Sequence, residues 1–204
     1  MLFYVGAHGH GVRVRYISAA VAHKNKDMKN ETEAETLTAI HAQVSAARAG
    51  TNPHVVARLS SGWAVFGERQ FVRGYALLLP DPVVPNLNAL GARERIVFLS
   101  DMSRLGDALL KVTGAARINY AMFGNQDPAL HAHVIPRYLD EPAELRGAQP
   151  WAYDWAAARP FDRTTDQSLA DELLKELNRL GVTKPMRYVP GINLQGSSQH
   201  NGRH

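Results

Sequence analysis

The stretch 124–137, Gly-Asn-Gln-Asp-Pro-Ala-Leu-His-Ala-His-Val-Ile-Pro-Arg, constrains this chain more than any other. Within it Leu130, Ala132 and Val134 are apolar, and His131 and His133 fall between them. Side chains two apart on a β-strand project from one face, so the alternation predicts a strand with an apolar back and two neighbouring imidazoles in front. Arg137 has the parity of the histidines. Pro136, which has no backbone donor, is expected to end the ladder before it. A front of two imidazoles followed by a guanidinium suits an anionic substrate.

The flanking sequence supplies the partners such a strand needs. Asn30 or Thr32 reads as a helix N-cap with Glu33 and Glu35 in the first turn, where the helix dipole favours negative charge. Leu37, Ile40, Val44 and Ala47 follow at helical spacing, and Gly50, Asn52 and Pro53 stop the helix. His41 lies near this stripe and reads as a core or surface residue. Residues 55–59, 63–66 and 75–79 read as short strands, the first two separated by the turn signal Ser60-Ser61-Gly62. Ile96, Leu99, Met102, Leu105, Ala108, Leu109 and Val112 predict a second helix ended by Gly114, and residues 117–123 another strand. Beyond Tyr138 the chain turns acidic, passes Trp151, Tyr153 and Trp155, which are expected to pack on the domain, and forms a helix over 169–180 closed by Gly181.

The grouping of helix, antiparallel strands, helix and histidine strand predicts an α+β domain over 31–140. Residues 1–30 read as an N-terminal extension with a hairpin around the glycine-rich 6–11, which is too short for a phosphate loop. Its His8, His10 and His23 have no carboxylate neighbour. Residues 141–190 read as a C-terminal extension packed on the domain with one helix, and 191–204 as a disordered tail. At 204 residues, with 45% hydrophobic and 21% charged residues, the chain has the composition of a soluble globular protein. The formal charge of +4 mildly favours anionic partners. No cysteine is present, which excludes disulfides, thiolate zinc sites and cysteine nucleophiles. Apolar runs are too short to span a bilayer, and the first residues lack the apolar core of a signal peptide, so no membrane partner and a cytoplasmic location are expected.

His-x-His on a strand has three physical readings. One imidazole can be a nucleophile towards phosphorus, forming a phosphoramidate that water later hydrolyses. The pair can bind a metal, for which a third ligand is needed and no neighbouring motif supplies one. Or the pair is structural.

The surroundings favour the first. The stretch resembles the histidine triad family of nucleotide hydrolases and transferases, whose hallmark strand alternates three histidines with apolar residues, often runs on into Pro-Arg and follows a Gly-Asn turn. Gly124-Asn125, the alternation around His131 and His133, and Pro136-Arg137 match that frame without gaps. Gly74-Tyr75-Ala76-Leu77-Leu78-Leu79-Pro80 resembles the family's earlier Gly-His-x-Leu strand. The likeness covers roughly residues 32–140. It implies a histidine-triad-like fold, an antiparallel sheet of about five strands packed with two main helices. Two positions depart from the pattern: Ala129 stands where the family has its first triad histidine, and Tyr75 where the earlier block usually has one.

Carried over position by position, the resemblance implies that His131 is the nucleophile and His133 a phosphate contact. It further implies that the carbonyl of Ala129 orients His131 through its other ring nitrogen. Asn125 would contact phosphate or hold the Gly-Asn turn, Gln126 would reach the leaving phosphate, and Glu68, ahead of the Gly-x-x-Leu strand, would hold the ribose hydroxyls. Asn86 and Asn88 offer caps or further contacts, and Arg137 either neutralises phosphate or forms a surface salt bridge. The implied reaction is a two-step displacement at the α-phosphorus of an adenosine or guanosine phosphate, such as a dinucleoside polyphosphate or nucleotide conjugate, through a nucleotidyl-histidine. No cofactor and no metal is required at the histidines, though magnesium can accompany a polyphosphate substrate. The family's habit implies a homodimer, and no specific nucleic-acid partner is expected. Ala129 and Tyr75 motivate an alternative, a nucleotide-binding module with impaired catalysis. A metal-binding β-protein using His131 and His133 is the third.

Overall fold

The computed structural model describes residues 37–185. The expected N-terminal hairpin, the caps at Asn30 or Thr32, the three N-terminal histidines and the polar tail lie outside the described residues. Helix α1 spans Ala39–Ala49. Its cap is Thr38, whose hydroxyl accepts from His41 N–H while the Nδ1 of His41 takes the Thr38 N–H at 3.3 Å. This reciprocal pair satisfies two of the donors a helix start leaves open. His41 is therefore a capping residue. Leu37 precedes the helix and is exposed, so the apolar stripe begins at Ile40.

Strands β1 (Val55–Arg58), β2 (Gly62–Phe66) and β4 (Ala76–Pro80) are joined in a central sheet by β5 (Arg117–Ala121) and β6 (Ala132–Arg137). The order is β1-β2-β4-β6-β5 and every pairing is antiparallel. Between β4 and β5 lies α2 (Ala92–Thr113), a crossover that carries the chain past β6 before β6 exists in the sequence. After β6 come α3 (Ala143–Arg146) and α4 (Gln167–Arg179). A two-stranded ladder of β3 (Arg69–Gln70) with β7 (Arg159–Pro160) ties the β2–β4 connection to the C-terminal segment, and no sequence pattern announced it. The architecture is α+β. Among the described residues no helix is long and apolar enough to cross a membrane.

The sheet is apolar on both faces, which is why β2 and β4 read as unbroken hydrophobic runs. On one face Ala64, Phe66, Ala76, Leu78, Ala132 and Val134 meet Phe98, Leu105 and Leu109 of α2 and Leu173 and Leu177 of α4. On the other, Trp63, Val65, Leu77, Leu79 and Ile135 meet Ile40, Val44 and Ala47 of α1. Burying a side chain of the size of Leu or Phe contributes roughly 1.5–3 kcal/mol, so these two layers dominate the stability.

Ile96, expected in the α2 stripe, is 69% exposed. It lies about 200° around the helix from Phe98, which with Leu105 and Leu109 defines the buried stripe. The buried polar member of that helix, Asp101, accepts from the N–H and hydroxyl of Ser61 at 2.7 and 2.8 Å and so pins the β1–β2 turn. Pro136 does not end its strand: it pairs with Ile118, and Arg137 pairs with Arg117. The Arg137 carbonyl accepts from Ala116 N–H at 2.8 Å, so this residue's hydrogen bonds point towards β5. The missing donor of Pro136 then points the opposite way, towards β4, whose pairing has already stopped at Val134.

Candidate functional site

His131 sits just before β6 and His133 within it, on the face shared with Leu77 and Ile135. Their apolar neighbours Leu130, Ala132 and Val134 are buried in the α2–α4 layer, which fixes the strand's roll and leaves both imidazoles on the opposite side. The rings are 4.9 Å apart, centre to centre, and steeply inclined at 69°.

Each ring is held by its Nδ1. The Nδ1 of His131 is 2.8 Å from the carbonyl of Ala129. A carbonyl only accepts, so Nδ1 carries a proton, and in the neutral ring the lone pair is on Nε2. Ala129 itself is buried among apolar side chains, and its backbone supplies the orientation whatever its side chain. The Nδ1 of His133 is 2.7 Å from the Tyr75 hydroxyl, and the two rings are stacked, 10° from parallel. Burial, reinforced by the neighbouring His131, pushes the His133 pKa down to about 4, so this ring is neutral at pH 7. Burial likewise holds the Tyr75 phenol well above its usual range, with the Glu68 carboxylate adding to the effect.

The two histidines line one cavity of about 580 Å³ together with Asn125, Gln126 and Asp127 of the preceding turn. Asp127 accepts from Ile40 N–H at 3.1 Å, so the first turn of α1 holds this turn in place. Four of the five side chains assigned from the sequence thus meet here. Glu68 does not line the cavity. Its carboxylate takes a hydrogen bond from Gln43 at 3.3 Å on the exposed surface, and its carbonyl accepts from Phe161 N–H, which ties this connection to the segment around β7. Asn86 caps the short turn Leu87–Ala89, accepting from Ala89 N–H at 3.0 Å.

Aromatic side chains complete the wall: Phe123, Trp151 and Trp155. Trp155 is clamped between Phe71 and Tyr75, at 4.0 and 5.4 Å between centres, and donates its indole N–H to the Pro150 carbonyl. Trp151, 43% exposed, stands edge-on to His133 and to Phe123 and lies nearly parallel to Trp155. The sequence indicated that these tryptophans pack on the domain. It did not indicate that they border the histidines. Their crowding within five residues of a polar stretch was the available signal.

Arg137 explains how the aromatic segment reaches the site, and it takes neither role foreseen for it. The residue is 7% exposed, as is Glu141, and the two form a multiply hydrogen-bonded pair with a closest approach of 2.7 Å. The guanidinium also donates to Asn119 and to the carbonyls of Leu145 and Ala148. Glu141 in turn accepts from the Tyr153 hydroxyl and from Tyr138 N–H. Pairing with a buried carboxylate consumes the charge that a phosphate would have used. The pair fastens the 141–153 segment to β6 and so carries Trp151 and Trp155 to the cavity. Among the described residues no group of three or more His, Asp or Glu side chains is placed to hold a metal ion.

No protein-family sequence profile matches the chain, and no curated protein matches it in sequence. Solved structures do. A histidine triad protein of Sinorhizobium meliloti is 21% identical, with 60% of this chain and 88% of that one covered at a TM-score of 0.53. A histidine triad protein of Bradyrhizobium japonicum is 22% identical over the same shares, also at 0.53. A hypothetical histidine triad nucleotide-binding protein of Sulfolobus tokodaii is 13% identical, covering 62% of this chain and 85% of its own length, at 0.50. The fold of this chain is that of the histidine triad proteins.

Proposed function

We propose that this chain, built on the histidine triad fold, is a nucleotide hydrolase or nucleotidyl transferase working through a covalent intermediate on His131. The observation that carries the reading is the bond from His131 Nδ1 to the Ala129 carbonyl, which in the neutral ring puts the lone pair on Nε2, beside a cavity large enough for a nucleotide. The Nε2 lone pair attacks the α-phosphorus of a purine nucleotide ester, anhydride or amidate. A P–N bond forms as the bond to the leaving group breaks, and the leaving group departs with that electron pair. Water then attacks phosphorus, the P–N bond breaks, and its electrons return to Nε2.

Charge developing on the phosphoryl oxygens is met by Asn125, by Gln126 on the leaving side, and by His133, the kind of placed polar contact that contributes most in such reactions. Trp151, Trp155 and Phe123 give a base a stacking surface. Arg137 lends no charge to the phosphate. One of the matching structures is named as a nucleotide-binding protein, in line with this substrate class.

Mass spectrometry tests the proposal. The protein is incubated with adenosine and guanosine phosphate conjugates and quenched at alkaline pH. A nucleotide monophosphate adduct on His131, absent from His131→Ala, is the expected result. Mononucleotide binding by calorimetry without adduct or turnover from any donor would replace this reading by that of a binding module with impaired catalysis, the role that Ala129 and Tyr75 motivate.

A further inference from the structure

Tyr75 occupies a site built for its ring. Gly67 faces it so closely that a Cβ there would lie 2.2 Å from the ring, and Phe71 and Trp155 close two further sides at 4.7 and 5.4 Å. The buried amide of Gln70 donates to the carbonyls of both Gly67 and Tyr75 and accepts from Gly74 N–H, fixing the backbone that carries the ring. The hydroxyl therefore has one position, 2.7 Å from His133 Nδ1, and it makes no other hydrogen bond among the described residues.

The direction of that bond follows from the inventory of donors. If Nδ1 carried the proton and donated to the phenol oxygen, the Tyr75 O–H, on a residue 3% exposed, would have no acceptor, and an unmet buried donor costs about 1–3 kcal/mol. If the phenol donates, both groups are satisfied and the imidazole proton sits on Nε2. The Nε2 has no partner among the described residues, and His133 lines the cavity.

We infer that Tyr75 is a positioning residue that locks His133 as the Nε2–H tautomer, making it a neutral hydrogen-bond donor to the phosphoryl oxygen of the bound nucleotide. The adjacent rings then carry opposite tautomers: His131 offers a lone pair at Nε2, and His133 offers a proton at its own. A nucleophile and a donor then stand 4.9 Å apart, centre to centre. The donor role rests on the nucleotide reading of the cavity, whereas the tautomer does not.

The test is nitrogen-15 NMR of the full chain labelled at histidine, recorded at pH 7, with the His133 ring assigned by His133→Gln. The expected spectrum shows a pyrrole-type Nε2 and a pyridine-type Nδ1 for His133 and the reverse for His131. In Tyr75→Phe the His133 pattern shifts towards the other tautomer while His131 signals stay in place, and titration with AMP gives a Kd about tenfold higher, as befits a weakened hydrogen bond to a charged group. Gly67→Ala, which keeps the hydroxyl but displaces the ring, shifts His133 in the same way. A wild-type His133 protonated on Nδ1, or an unchanged His133 pattern in Tyr75→Phe, overturns the inference. If the tautomers are as stated but AMP and the nucleotide conjugates fail to bind, the lock stands, and both the donor role and the nucleotide reading of the cavity fall.

Discussion

Acid sensitivity gives the most direct quantitative check on how His133 is buried. Burial and the adjacent His131 hold its pKa at about 4, against the ordinary 6.5 that it recovers on unfolding. Above pH 6.5 neither state binds a proton there and the residue adds no pH dependence. Between pH 6.5 and 4 the unfolded chain takes up a proton that the folded one refuses, so stability falls as pH falls. The gap corresponds to about 3 kcal/mol by pH 4, at 1.36 kcal/mol for each factor of ten in proton affinity. His133→Gln removes the titration while keeping a polar side chain. Urea unfolding followed by circular dichroism, at pH 7 and pH 4, is the assay. Both proteins lose stability on acidification through their carboxylates, but wild type is expected to lose about 3 kcal/mol more. Equal losses in the two proteins would mean that His133 charges freely in the fold, and the enclosed, neutral imidazole would have to be abandoned.

Two further outcomes follow from the aromatic segment. Glu141→Gln leaves the Arg137 guanidinium buried without its charge partner, which costs roughly 3–5 kcal/mol, and urea midpoints together with a red shift of tryptophan emission will show it. Trp151→Ala changes stability by less than about 1 kcal/mol, because the side chain is partly exposed, but weakens AMP binding about tenfold in calorimetry.

The strand that carries the histidines was legible because its information is local: alternation over six residues sets which side chains share a face, and Leu130, Ala132 and Val134 decide which face is buried. Helical spacing likewise gave α2 and α4 to within a few residues, with Ile96 off the stripe, and it gave the body and end of α1 but not its start, which the Thr38–His41 capping pair decides. Glu68 was assigned from its position ahead of a strand, which does not fix the partner of its carboxylate; in the structure that partner is Gln43 of α1. Arg137 was misread because its parity is local, while its partner Glu141 belongs to a segment whose path over β6 no periodicity encodes.

Sequence by itself determined an α+β domain around a two-histidine strand and brought His131, His133, Asn125 and Gln126 within one stretch of nine residues. Tertiary structure alone decided what those side chains meet. Tyr75, 58 residues away in the chain, reaches His133 because β4 and β6 pair, and Trp151 and Trp155 reach it because the Arg137–Glu141 pair folds the extension back across the sheet. Periodicity records the direction of a side chain relative to its own backbone. The partner it finds there depends on strand order and on long-range ion pairing, which are set by the energy of the whole packed chain.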